Sequence, residues 1–161
     1  MNKRMDVNSS SLKPWHLEGI NNELVPNKEE FLGEPLLILF FYLGCPGCKG
    51  RAIPFANRLV VEHKDKFKLI GIHSNFEGPE YSDDEISTIM DGLYARFPYY
   101  RDAGLATTFH DYEAAGTPHW ILVDKDGKIV QSIFGSDPNR ALLRLDYSID
   151  ELLNMNSKKE N

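Results

Sequence analysis

The stretch Ile38-Leu39-Phe40-Phe41-Tyr42-Leu43-Gly44-Cys45-Pro46-Gly47-Cys48-Lys49 decides how the rest of the chain is read. Leu36 to Leu43 is a continuous apolar run, as expected of a strand covered on both faces. The run stops at Gly44. Pro46 then stands where a helix opens, because the N–H it lacks would have no intrahelical partner there. Cys45 and Cys48 are the only cysteines. Cys45 falls at the expected helix tip, where free N–H groups and the positive end of the helix dipole favour a thiolate over a thiol. Cys48 follows one turn further in. That is a recipe for a reactive rather than a structural cysteine.

Other uses of two cysteines fit less well. A disulfide closing so short a loop restrains the unfolded chain less than a long-range bridge would, which argues against a structural staple. A zinc site needs two further ligands, and His63, His73, His110 and His119 do not stand at zinc-finger spacing. Two inert buried thiols are the default for free cysteine. The Cys-x-x-Cys pattern favours redox chemistry over all three, with no metal and no cofactor expected.

Length and composition suit this reading. A chain of 161 residues is right for one domain with a useful core. At 42% hydrophobic and 26% charged residues it has the composition of a soluble globular protein. A net charge of −6 argues against nucleic acid or an anionic membrane as partner. No apolar run approaches a membrane span. The start, with Lys3 and Arg4 but no apolar segment behind them, does not read as a signal peptide, and the expected location is a reducing cytoplasm.

Taken in order, residues 1–13 are polar and expected to be a disordered tail, 14–154 a folded domain, and 155–161 a polar C-terminal tail. Trp15-His16-Leu17 and Glu23-Leu24-Val25 around Asn21-Asn22 predict a short hairpin. Asn27 with Glu30 predicts a short helix start, ended by Gly33 and Pro35. Beyond the thiols, Ala52, Ile53, Ala56, Leu59, Val60 and His63 recur at helical spacing to about Lys64, with Pro54 expected to kink the helix. Residues 67–72 read as a strand. Ser82 and Glu85 form a capping box opening a helix with Ile86, Ile89, Met90, Leu93 and Phe97 on one face. Residues 98–101 suggest a short strand and 104–113 a short helix. Residues 119–123 and 128–133 form a hairpin about Asp126-Gly127, and Leu142, Leu145, Ile149 and Leu152 mark a last helix. The fold class is therefore α/β, a mixed central sheet with helices on both faces and an N-terminal β-hairpin. Cys45 and His73-Ser74-Asn75 fall at the C-terminal ends of neighbouring parallel strands, where ligands sit in such sheets.

At this point the chain resembles the thioredoxin superfamily, and more closely its TlpA/ResA-like thiol–disulfide oxidoreductases, relatives of the AhpC/TSA redoxins. The resemblance is carried by Phe40 to Cys48, Pro54, Gly116-Thr117-Pro118 and Leu122 to Val130, within about residues 14–153. It implies a thioredoxin-like fold and a cis bond between Thr117 and Pro118, packed against the thiols. The chain departs from the family at three positions: Gly44 replaces a Trp before the first cysteine, Leu39 an Asp six residues before it, and Arg51 a Glu three residues after the second.

The resemblance implies a disulfide reductase. Cys45 attacks a substrate disulfide and Cys48 resolves the mixed disulfide. Thr117 and Pro118 bind an extended substrate segment by its backbone, and Gly44, Pro46 and Gly47 support the thiols. The expected partners are a disulfide-containing protein or small molecule and an electron donor. His73 and His119 are candidates for proton transfer or for packing. The competing readings are a peroxiredoxin-type thiol peroxidase, against which Tyr42 stands where such enzymes carry Thr, a copper- or other metal-binding thioredoxin-like module, and a redox-inactive interaction domain.

Overall fold

The computed structural model describes residues 11–160. Six strands form one mixed sheet: β1 (Leu17–Glu18), β2 (Leu36–Phe41), β3 (Lys68–His73), β4 (Tyr99–Asp102), β5 (His119–Val123) and β6 (Ile129–Phe134), in the order β1-β4-β3-β2-β5-β6. β2 runs parallel to β3 and antiparallel to β5. Its six residues are apolar because both faces are covered, and all six are buried. Leu37, Leu39 and Phe41 pack with three helices, α1 (Ile53–Glu62), α2 (Asp83–Gly92) and α4 (Ala141–Glu160). Leu36, Ile38 and Phe40 face the other way, against Leu12, Tyr112 and Phe109 of the short α3 (Thr107–Asp111). Each such fully buried side chain contributes about 1.5–3 kcal/mol relative to exposure. The strand leading into the thiols is thus the best-buried element of the sheet.

The helix after the thiols opens at Pro46. It passes through one π turn, Cys48–Ala52, closed by Ile53 N–H donating to Cys48 O, before settling into α1. Pro54 explains the wider turn: it has no N–H for the carbonyl one α turn back, and its ring would crowd that carbonyl. The expected kink takes this form. α2 begins with the predicted capping box, Glu85 N–H donating to Ser82 Oγ and Ser82 N–H to Glu85 Oε1. The β5–β6 turn is held by Asp124 Oδ1, which accepts the N–H groups of Asp126 and Lys128, with Gly127 at φ +85°.

The N-terminal part departs from its sequence reading. Leu17–Glu18 pairs antiparallel with Asp102 and Arg101 of β4, and residues 23–25 form no strand, so no local hairpin closes about Asn21-Asn22. The predicted strand contained few apolar residues to bury, and Leu24 is 92% exposed. The helix expected after Asn27 is a single 3-10 turn, Lys28–Phe31, with Asn27 N–H donating to Glu30 Oε2. Of the expected tail 1–13, residues 1–10 lie outside the described residues. Ser11 already bridges to Lys128, and Leu12 is buried with its N–H on Gly127 O. At the other end α4 continues to Glu160, through most of the expected polar tail.

Candidate active site

The chain leaves β2 at Phe41 and turns at once. Cys45 N–H donates to Tyr42 O at 3.0 Å, and Leu43 N–H donates to His73 Nε2 at 3.2 Å. Cys45 is half-buried at the opening of the helix, whereas Cys48 is fully buried behind it; both are free thiols. Burial pushes the Cys48 thiol up, because a thiolate there would lose its hydration. The Cys45 thiol donates to Thr117 O at 3.3 Å. A Cβ on Gly47 would lie 2.9 Å from Ser136 Oγ and 3.9 Å from both Cys45 Sγ and Pro118 Cδ. Glycine at that position lets the helix end, the thiol and the Pro118 ring meet. The Thr117–Pro118 peptide bond is cis.

The opposite wall is the segment 115–118, tied down on both sides. Gly135 N–H donates to Pro118 O at 2.8 Å, and Ala115 N–H to His119 Nδ1 at 3.2 Å. His119 Nε2 lies 2.8 Å from Ser132 Oγ. Beside Gly116 the ring of Phe134 stands 55% exposed, so close that a Cβ on Gly116 would sit 2.8 Å from it.

Tyr42 accounts for Gly44. Its ring lies where a side chain at 44 would go, an added Cβ falling 2.4 Å from the Tyr42 ring. The ring is fixed by its hydroxyl, which donates to Pro79 O, and by edge and tilted contacts with Tyr81 and His73. Gly78, at φ +90°, gives way to the same hydroxyl from the other side. An aromatic still borders the thiol turn, but it comes from Tyr42, the residue just past strand β2. Leu39 lies fully buried opposite Trp120, so an apolar side chain occupies the place of the family's carboxylate. Arg51 is exposed on the helix.

The two histidines at the site are buried, His73 at 2% and His119 at 4% exposure, and neither has a thiol among its hydrogen-bond partners. Burial, aided by the Arg101 charge, holds the His73 imidazole down at about 4, and burial alone holds His119 at about 4. Both are neutral at physiological pH. Sequence reading noted Tyr42 only as standing in place of a peroxidase Thr, not for its packing on Gly44, and missed Ser136 and the buried Asp102. The Asp102 carboxylate accepts the Ser74 hydroxyl and the N–H groups of Thr108 and Phe109, opening α3. A repeated Gly around one tyrosine (Gly44, Gly78) is the nearest thing to a sequence signal for the packing of Tyr42. Among the described residues, the one group of three metal-capable side chains is Glu62, His63 and Asp146, at the far end of α1 from the thiols.

No family model matches the chain. It is 26% identical over 126 residues to the thiol-disulfide oxidoreductase ResA of Bacillus thuringiensis subsp. konkukian, covering 78% of this chain and 67% of that one. A thiol-disulfide isomerase from Corynebacterium glutamicum superposes with a TM-score of 0.79 at 25% identity, over 91% of this chain and 97% of the other. The chain is thus similar to the ResA/TlpA-like thiol–disulfide oxidoreductases of the thioredoxin superfamily and has a thioredoxin-like fold. An exposed lipoprotein thioredoxin of Streptococcus pneumoniae shares the fold, with a TM-score of 0.67 at 19% identity over 83% of this chain and 97% of its own. The fold thus also occurs outside the cytoplasm, and the cytoplasmic expectation finds no support in it. Among the described residues no helix is long and apolar enough to cross a membrane.

Proposed function

We propose that the protein reduces disulfides through Cys45 and Cys48 by way of a mixed disulfide. The observation that carries this reading is the asymmetry of the two thiols: one half-exposed at a helix opening, the other fully buried one turn behind. The thiolate of Cys45 attacks one sulfur of the substrate disulfide. The S–S bond breaks, the first substrate sulfur leaves as a thiolate, and a Cys45–substrate disulfide forms. Cys48 then attacks the Cys45 sulfur and gives up its proton to the departing sulfur or to water. Two electrons pass from the dithiol to the substrate, and Cys45 and Cys48 end as a disulfide.

Cys48 remains a thiol until that second step, because burial disfavours its thiolate. Premature closure is thereby slowed. The backbone at Thr117 and Pro118 offers an extended substrate segment a place beside Cys45, and Gly44, Pro46 and Gly47 keep the approach open. The substrate is a disulfide-containing protein or small molecule, and an external thiol donor restores the dithiol. The test is a pair of variants: Cys45→Ser abolishes reduction of insulin disulfides, and Cys48→Ser accumulates a mixed disulfide through Cys45. Equal alkylation rates of the two thiols at neutral pH would defeat the assignment.

A further inference from the structure

We propose that His73 and His119 are positioning residues of the dithiol site, each a neutral imidazole whose lone pair fixes one backbone N–H in one of the two segments that meet at Cys45. The inference rests on the dithiol reading above. β3 and β5 flank β2 on either side; His73 is the last residue of β3 and His119 the first of β5. They stand opposite Phe41 and Phe40, at the end of the sheet where the chain turns into the thiols.

At that end the regular ladder runs out. Ser74 N–H still reaches Phe41 O at 2.9 Å. The next N–H on the thiol side, at Leu43, goes to the His73 side chain at 3.2 Å. On the other flank Ala115 N–H goes to the His119 side chain at 3.2 Å. Each imidazole therefore extends the hydrogen bonding of the sheet one step past its strand; Leu43 is fully buried, so its N–H would otherwise be a buried unpaired donor, whereas Ala115 stands at the exposed edge of the segment that His119 ties down. One clamp holds the turn that presents Cys45; the other holds the segment that carries Thr117 and Pro118. The two segments so held meet at the 3.3 Å contact from Cys45 Sγ to Thr117 O.

A neutral imidazole has one N–H and one lone pair, so the two acceptor roles fix two tautomers. At His73 the lone pair is on Nε2 and the proton on Nδ1. At His119 the lone pair is on Nδ1, and the Nε2 proton is donated to Ser132 Oγ. The structure demands opposite tautomers at two buried histidines of one site. Rings serving as filler would carry no such requirement. Packing is present as well, with Phe41, Tyr42 and Tyr81 around His73.

The wild-type chain supplies the first test. Nitrogen-15 NMR of the histidine rings in the reduced protein shows the Nδ1–H form at His73 and the Nε2–H form at His119. Any other pair of tautomers overturns the proposal. The second test uses insulin as substrate. His73→Met keeps the bulk without the acceptor and lowers kcat about tenfold with KM within twofold, while His73→Gln, whose amide oxygen reaches the place of Nε2, restores kcat. His119→Leu raises KM about tenfold with kcat within twofold, and His119→Asn, with an oxygen in the place of Nδ1, restores it. Gln no better than Met at 73, or Asn no better than Leu at 119, sinks the clamp. If a Met or Leu variant does not fold, the tautomers and the Gln and Asn variants decide alone. Cys45→Ser separates the two readings: retained turnover removes the dithiol mechanism itself, whereas lost turnover leaves it standing and the histidine results count by themselves.

Discussion

The thiol end of the sheet and the N-terminal arm, residues 11–34, are held in opposite ways. Much of the thiol segment's scaffolding is local: a strand, a tight turn closed by Cys45 N–H on Tyr42 O, and a helix, all within a short run of sequence. The arm has almost no structure of its own. It lies where it does because distant residues receive it: Tyr112 takes the Lys13 N–H at 2.9 Å and donates to Lys13 O, Thr108 Oγ1 takes the His16 N–H at 2.9 Å, and Gly127 O takes the Leu12 N–H. In the first region the reacting thiol itself can be exchanged without loosening the fold. The second can be loosened without touching the chemistry.

Cys45→Ser gives the largest effect on one side only. Reduction of insulin disulfides falls to background while the melting temperature stays within a degree or two; a parallel loss of stability would mean that the thiol is part of the core. Leu39→Ala removes a fully buried side chain beneath the same region. It costs about 2–5 kcal/mol in a urea titration. A cost near zero would show that the thiol strand is not the pillar its burial indicates.

Acid separates the regions next. His73 and His119 sit at about 4 in the folded protein and near 6.5 unfolded, so below pH 6.5 the unfolded chain binds more protons. Stability is therefore whole above about pH 6.5 and falls as pH drops toward 4, by up to about 1.4 kcal/mol per pH unit for each histidine. Equilibrium unfolding at pH 7, 6, 5 and 4 measures it, and His119→Asn should remove the share of that slope due to His119. A slope unchanged by that variant breaks the link between acid and the thiol end.

The arm answers more weakly. Tyr112→Phe deletes the hydroxyl that joins Lys13 to the body and costs about 1 kcal/mol, with insulin reduction unchanged. Leu24→Ser, on a residue 92% exposed, changes stability by less than about 0.5 kcal/mol. A larger loss at 24 than at 112 would invert the account of how the arm is held.

The same contrast governs what could be read in advance. β2, the helix opening at Pro46, the capping box at Ser82 and the turn at Asp126-Gly127 were all legible, because each is decided by residues a few positions apart. The arm was misread as a hairpin because turn-like Asn21-Asn22 carries no information about a distant edge strand; Leu17–Glu18 found β4 instead. At the site, the two cysteines and Thr117-Pro118 stood out by type and spacing, and they do meet. The hydrogen bonds of His73 and His119, the place of Tyr42 between two glycines, and the Asp102 carboxylate under α3 did not stand out. Each depends on which strands become neighbours, and no local pattern encodes that.

The central place of β2 carries a consequence for synthesis. Its two neighbours do not emerge together: β3 follows it closely, but β5 lies roughly 80 residues downstream in the register that pairs Phe40 with His119. At about 5–20 residues per second, translation leaves roughly 4–16 s in which Leu36–Phe41 has one edge unpaired. An apolar strand with an open edge is a template for wrong pairing with another nascent chain. Slower initiation, which keeps fewer such edges exposed at once, or more abundant chaperone is therefore expected to raise the yield of folded protein.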